Sequence, residues 1–290
     1  MPDERNGQLA AGQWVNGGRH RVAAALAIGC VLALLPWPAG AAEVPALVKA
    51  RQLYNLGQFA QAAEAALPAR SLPATRDAAN LIIGRARLEL YRQTAAETDL
   101  AAARESLRAV MPDALGARDR TELLMGLGEA LYFENAFAAA AALFEMALAA
   151  PPVAGAPGRE RLFDWWAGAL DRHAQVLAPE ARIGVYPRIL EAALTELKDR
   201  PNAASAIYWQ VAALVAIGEA DEAYQAAQAG WVRIVFNPTE LVGLRADLDR
   251  LVRDGVIPDR ARRTSEPDPE QAAEALRAEW ERFKAAWTSK

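Results

Sequence analysis

The chain is short of the residues that most often carry chemistry. Its 290 residues include one cysteine, Cys30, and two histidines, His20 and His173. One thiol cannot close an internal disulfide or build a cysteine metal site. The formal charge is only −4 and the pI is near 5.5, so no excess of positive charge favours nucleic acid or anionic lipid. No G-x-G-x-x-G follows a strand and no G-x-x-x-x-G-K-[ST] occurs, which leaves nucleotide phosphates without a cradle. Runs of β-branched residues are scarce. The longest apolar run near the N-terminus, Val22 to Leu35, is shorter than the roughly 20 residues that a membrane helix needs.

What is abundant is alanine. Hydrophobic residues reach 53% while charged residues stay at 23%. Alanine has the highest helix propensity and a small volume, which suits closely packed helices and predicts an all-α fold. The stretch "GLGEALYFENAFAAAAALFEMALAAPP" (126–152) is nearly all apolar, yet Glu129, Glu134 and Glu145 would each cost a few kcal/mol in lipid. It is therefore expected to be helix packed against protein.

Arg19-His20-Arg21, the apolar run and the small residues of "AGAAEV" have the layout of a secretory signal peptide. Ala39 and Ala41 would occupy the −3 and −1 positions, with a cut after Ala42 as the alternative. Residues 1–42 are read as an N-terminal extension plus cleaved signal, implying a bacterial periplasmic or secreted protein. The polar prelude before Arg19 suggests a true start downstream of Met1. "LAIGC" loosely resembles a bacterial lipobox, so anchoring through Cys30 is the alternative localisation. Cleavage would leave no cysteine, His173 as the one histidine, and a net charge of about −5.

With Thr121 as position 1, Leu124, Leu127, Gly128 and Leu131 fall at 4, 7, 8 and 11. Phe137, Ala140, Phe144, Ala147 and Pro152 fall at 17, 20, 24, 27 and 32. This resembles the tetratricopeptide (TPR) repeat, an antiparallel helix pair of about 34 residues. Asn135 takes the turn position, where glycine is usual and asparagine tolerates a left-handed backbone. Gly57 with Phe59, Ala62 and Ala66 marks a first repeat. Gly84 with Leu100, Ala103 and Leu107 marks a second, with extra residues expected in the turn around "RQTAAETD". A fourth, near "RERLFDWWAGALDRHAQ" and "YPRILEAALTELKDRPN", is degenerate. Ile207, Leu214, Gly218, Ala223, Ala227 and Gly230 mark a fifth.

The resemblance implies a TPR-like right-handed superhelix, an α-solenoid of about five hairpins over residues 43–235. "PPVAGAPG" (151–158) is read as a joint. Asn237, Pro238 and Glu240 suggest a capped helix start, with the helix occupying 236–257 and ending at Gly255. A linker follows at 258–270, then an amphipathic helix at 271–290. That last helix carries the stripe Ala273, Leu276, Trp280, Phe283 and Trp287. The stripe is expected to cap the repeats, docking on a partner or a second copy being the alternative.

TPR proteins bind peptides or partner helices along their first helices. Carried over by position, the resemblance assigns a groove to Arg51, Tyr54, Asn55, Arg85, Glu89, Glu129, Tyr132, Phe133 and Tyr208. Arg85 and Glu129 follow the motif glycines where a carboxylate-clamping subtype has asparagine, so that clamp is not supported. The implied partner is another protein, with no cofactor and no catalytic or metal residues. A hydrolase of envelope polysaccharide is a second reading, which needs two carboxylates about 5–9.5 Å apart in a cleft. An outer-membrane assembly factor anchored through Cys30 is a third. Trp165-Trp166 point about 100° apart on a helix, so they cannot face the same neighbour; both are read as core, with one at a packing seam or on a binding face as the alternative. His173, on the apolar side of the same helix, is read as a core residue.

Overall fold

The computed structural model describes residues 45–150, 155–236, 241–264 and 268–288. The expected signal peptide with Cys30, and the Asn237–Glu240 helix start, lie outside these residues, as does the first half of the 151–158 joint. All regular structure among the described residues is helical, and no described helix is long and apolar enough to cross a membrane. The chain divides into two compact units, one ending at Val153 and the other beginning at Ala154.

The first unit contains α1 (Pro45–Asn55), α2 (Phe59–Arg70), α3 (Arg76–Thr94), α4 (Glu97–Arg108), α5 (Ala117–Phe133) and α6 (Phe137–Ala149). Each helix packs on its successor, and the alternate helices α1, α3 and α5 also touch in series. The contact surfaces are lined by alanine: Ala50, Ala62, Ala66, Ala79, Ala86 and Ala103 are fully buried. Two glycines set the closest approaches. A Cβ on Gly84 would lie 2.5 Å from Leu107, and one on Gly128 would lie 2.5 Å from a Phe144 ring carbon. A large side chain from the second helix of each pair occupies the space that the glycine leaves.

The turns also repeat. Gly57 closes α1 with φ of 74°, its N–H bonded to Tyr54 O, while Gln58 N–H reaches back to Leu53 O. Asn135 does the same for α5 with φ of 61°, pairing with Tyr132 while Ala136 reaches Leu131. This is the Schellman stop, which needs one left-handed residue. Between α3 and α4 the expected longer turn is absent. The extra residues lengthen α3, and Ala95 ends it with φ of 56° and a bond from its N–H to Tyr91 O. Apart from a 3₁₀ turn at Pro112–Ala114, the α4 to α5 connection is irregular.

The second unit contains α7 (Gly155–Val176), the short α8 (Pro179–Arg182), α9 (Val185–Asp199), α10 (Ala204–Ile217) and α11 (Ala220–Phe236). It continues with α12 (Val242–Leu251), α13 (Ile257–Arg263) and α14 (Pro269–Thr288). Gly218 ends α10 with φ of 86° in the same bonding pattern, Glu219 N–H reaching Leu214 O. Gly230 again sits under a side chain, a Cβ there lying 2.7 Å from Ile207. Asp171 ties α7 to α9 by accepting from Tyr186 at 3.0 Å, and Asp164 ties it to α10 by accepting from Trp209 at 2.9 Å. Burial raises the Asp171 carboxyl above its ordinary value. Trp166 is buried against Phe163, whereas Trp165 and His173 are half-buried.

Gly255 does not end a helix. A π turn at Val252–Val256 carries the chain from α12 into α13, with Pro258 in the first turn of α13. Leu251, Val252, Val256 and Ile257 are almost fully buried, and their packing overrides the local breakers. Residues 258–263 and 269–270 of the expected linker are thus helix. The α14 stripe packs within this unit. Trp280 is fully buried against Tyr224 and Trp231 and stacks on Phe283, while Trp287 meets Phe236. Asp249 fixes this helix by accepting from Trp280 Nε1 at 2.8 Å and from Lys284 Nζ at 2.5 Å. Trp280 is therefore not available to a second copy.

Candidate functional site

The face shared by α1, α3 and α5 gathers eight of the nine groove residues. Arg85 lies at its centre. Its stem crosses α5 at Gly126, where a Cβ would come within 3.1 Å of Arg85 Cδ. From there Nη1 donates to Glu129 Oε1 at 3.0 Å, and Nη2 donates to the Tyr54 hydroxyl at 3.4 Å. Three helices are thus joined through one guanidinium. The Arg85 and Glu129 side chains are only 11% and 4% exposed, so this is an interior ion pair.

The electrostatics follow from that burial. Desolvation pushes the Tyr54 hydroxyl up to about 12, against the pull of Arg85. For Arg85, desolvation alone would favour the neutral form. Tyr54, Glu129, Glu122 and Glu89 outweigh it and hold the guanidinium charged. Arg51 reaches from α1 past α3 to Asp119 on α5, at 3.1 Å. Burial raises the Asp119 carboxyl above its ordinary value although Arg51 opposes the shift.

The aromatic residues line the C-terminal ends of the same helices. Tyr54 meets Phe59 edge-on at 5.3 Å, and Tyr132 meets Phe137 at 5.3 Å. Phe133 packs edge-on against Tyr91 at 4.9 Å and against Tyr132 at 6.1 Å. All of these rings except Phe137 are half-buried, and Asn55 is exposed at the end of α1. Glu89 pairs with Arg92 at 3.2 Å. The ninth residue, Tyr208, belongs to the second unit, where it stands edge-on to Trp209.

Asp119, Tyr91 and Arg92 escaped the sequence reading. Asp119 precedes the repeat's first counted residue, and only the length of an arginine side chain brings it into play. Arg92 opens the segment expected to be turn, and Tyr91 directly precedes it. A shallow depression elsewhere on this unit, lined by Thr98, Ala101, Arg104, Glu105 and Arg108, belongs to α4 alone. Among the described residues, no group of three or more acidic, histidine or cysteine side chains is placed to hold a metal ion. Compared with known family models, curated proteins and solved structures, the chain matches none.

Proposed function

We propose that the hairpins of this chain are TPR-like repeats stacked as an α-solenoid. In this reading the face of α1, α3 and α5 binds a peptide or helix of another protein, and the chain is a non-catalytic scaffold. One observation supports this most. The same helix stop recurs at Leu53–Gln58, Leu131–Ala136 and Leu214–Glu219, each with a left-handed residue and a leucine carbonyl accepting the closing bond. Chains that repeat one hairpin bury its faces by stacking, and the first helices then form a continuous inner surface. Half-buried Tyr54, Tyr91, Tyr132 and Phe133 supply rigid amphipathic area, the kind that dominates binding energy at protein interfaces.

Export from a bacterial cytoplasm belongs to the same proposal and rests on the sequence of residues 19–42. Lipid anchoring through Cys30 is its alternative.

A photo-reactive amino acid in place of exposed Asn55, at the end of the face, tests the binding reading in living cells. The same residue in place of Thr98, on the outer side of α4, is the control. A crosslinked polypeptide partner is expected from position 55 and not from position 98. Equal yields at both positions, or none at position 55, would count against the face.

A further inference from the structure

The ionic groups of this face are consumed by one another. Arg51 pairs with Asp119 at 3.1 Å, Arg85 with Glu129 at 3.0 Å, Arg92 with Glu89 at 3.2 Å and Arg118 with Glu122 at 3.2 Å. Within these pairs four cations meet four anions and cancel; beside them the Glu97 carboxylate of α4 accepts from the Tyr91 hydroxyl at 3.4 Å. Two of the pairs span helices, and breaking either would leave a desolvated charge without its counter-ion. What remains for a partner is ring area and a few polar atoms: Tyr54, Tyr91, Tyr132, Phe133 and exposed Asn55.

We infer that the partner segment is uncharged where it lies on this face, contributing aliphatic, aromatic or prolyl side chains and backbone hydrogen bonds. The reason is complementarity. A carboxylate or ammonium of the partner would lose its hydration on docking, and the charges of the two interhelical pairs, Arg51–Asp119 and Arg85–Glu129, are already met. An apolar side chain pays no such cost. It gains by covering the tyrosine and phenylalanine rings, and aromatic-lined surfaces take proline-containing extended segments in this way. The inference rests on the reading that the face binds polypeptide at all.

The test uses the purified protein and a phage-displayed library of random dodecapeptides. Selected peptides are synthesised with a photo-reactive group, and crosslinks are mapped by mass spectrometry. Affinities are then measured at about 50 mM and about 500 mM salt, a range over which exposed charge attraction is largely screened. The expected peptides are depleted of Asp, Glu, Lys and Arg relative to the library. They crosslink to α1, α3 or α5, and their affinity changes by less than about twofold with salt. Peptides that crosslink there but are enriched in one sign of charge, and weaken about tenfold or more in high salt, overturn the inference while leaving the binding face intact. Selected peptides with no crosslink to these helices overturn the binding reading, and the inference with it.

Discussion

Single atoms decide several features of this molecule. At Gly128 a methyl group would lie 2.5 Å from Phe144, and at Gly84 equally close to Leu107. Gly128→Ala and Gly84→Ala are each expected to destabilise the protein by about 1–3 kcal/mol, because the well-packed partner must shift. Gly243 lies within a helix with nothing within 4 Å of a would-be Cβ. Gly243→Ala is expected to stabilise by about 0.5–1 kcal/mol through helix propensity alone. Urea midpoints of the three variants check both signs. Asp249 gives a pH signature. Burial raises its carboxyl, but bonds from Lys284 and Trp280 outweigh that and hold it below its ordinary 3.8. Its contribution is fully present above that value and is lost as pH falls through the lower, folded one. Asp249→Asn should therefore flatten the decline in stability below about pH 4, read as melting temperature against pH. An unchanged acid limb would remove Asp249 from the account.

At the scale of helices and turns, the backbone sign of one residue governs where each hairpin folds back. Ala95 holds a left-handed conformation that costs an L-residue roughly 1–2 kcal/mol. Ala95→Gly should recover about 1 kcal/mol in chemical denaturation, and Gly57→Ala should lose a similar amount. Much of this level was legible in the sequence. Gly57, Asn135 and Gly218 are residue types that mark left-handed turns, and Gly84 and Gly128 mark close crossings. Ala95 was not legible, since alanine is the strongest helix former and nothing in its side chain announces a stop. Gly255 misled for the opposite reason. It is a local breaker inside a segment whose leucines, valines and isoleucine are buried, and that burial is a tertiary effect. The candidate site divides in the same way. Repeat position groups Arg85 with Glu129, but position says nothing of side-chain reach, and reach is what recruits Asp119. Tyr208 shares a repeat position with the others yet stands in the second compact unit.

For the whole molecule, the division at Val153 and Ala154 makes a claim about folding. Each unit has its own buried core: Ile83, Leu107 and Phe144 in one, Ile207, Leu248 and Trp280 in the other. Residues 45–150 and 155–288, expressed separately, should each give a helical circular dichroism spectrum and a cooperative thermal transition. A random-coil spectrum from either would show that it needs the other. The central claim is that α1, α3 and α5 lie side by side and are tied by ion pairs between them, leaving a ring-lined face. A double-mutant cycle on Arg85→Met and Glu129→Leu, followed by urea unfolding, tests it most directly. The account predicts a coupling of about 0.5–3 kcal/mol between the two positions, the range for groups in direct contact. Additivity within about 0.3 kcal/mol, as for sites far apart, would contradict it.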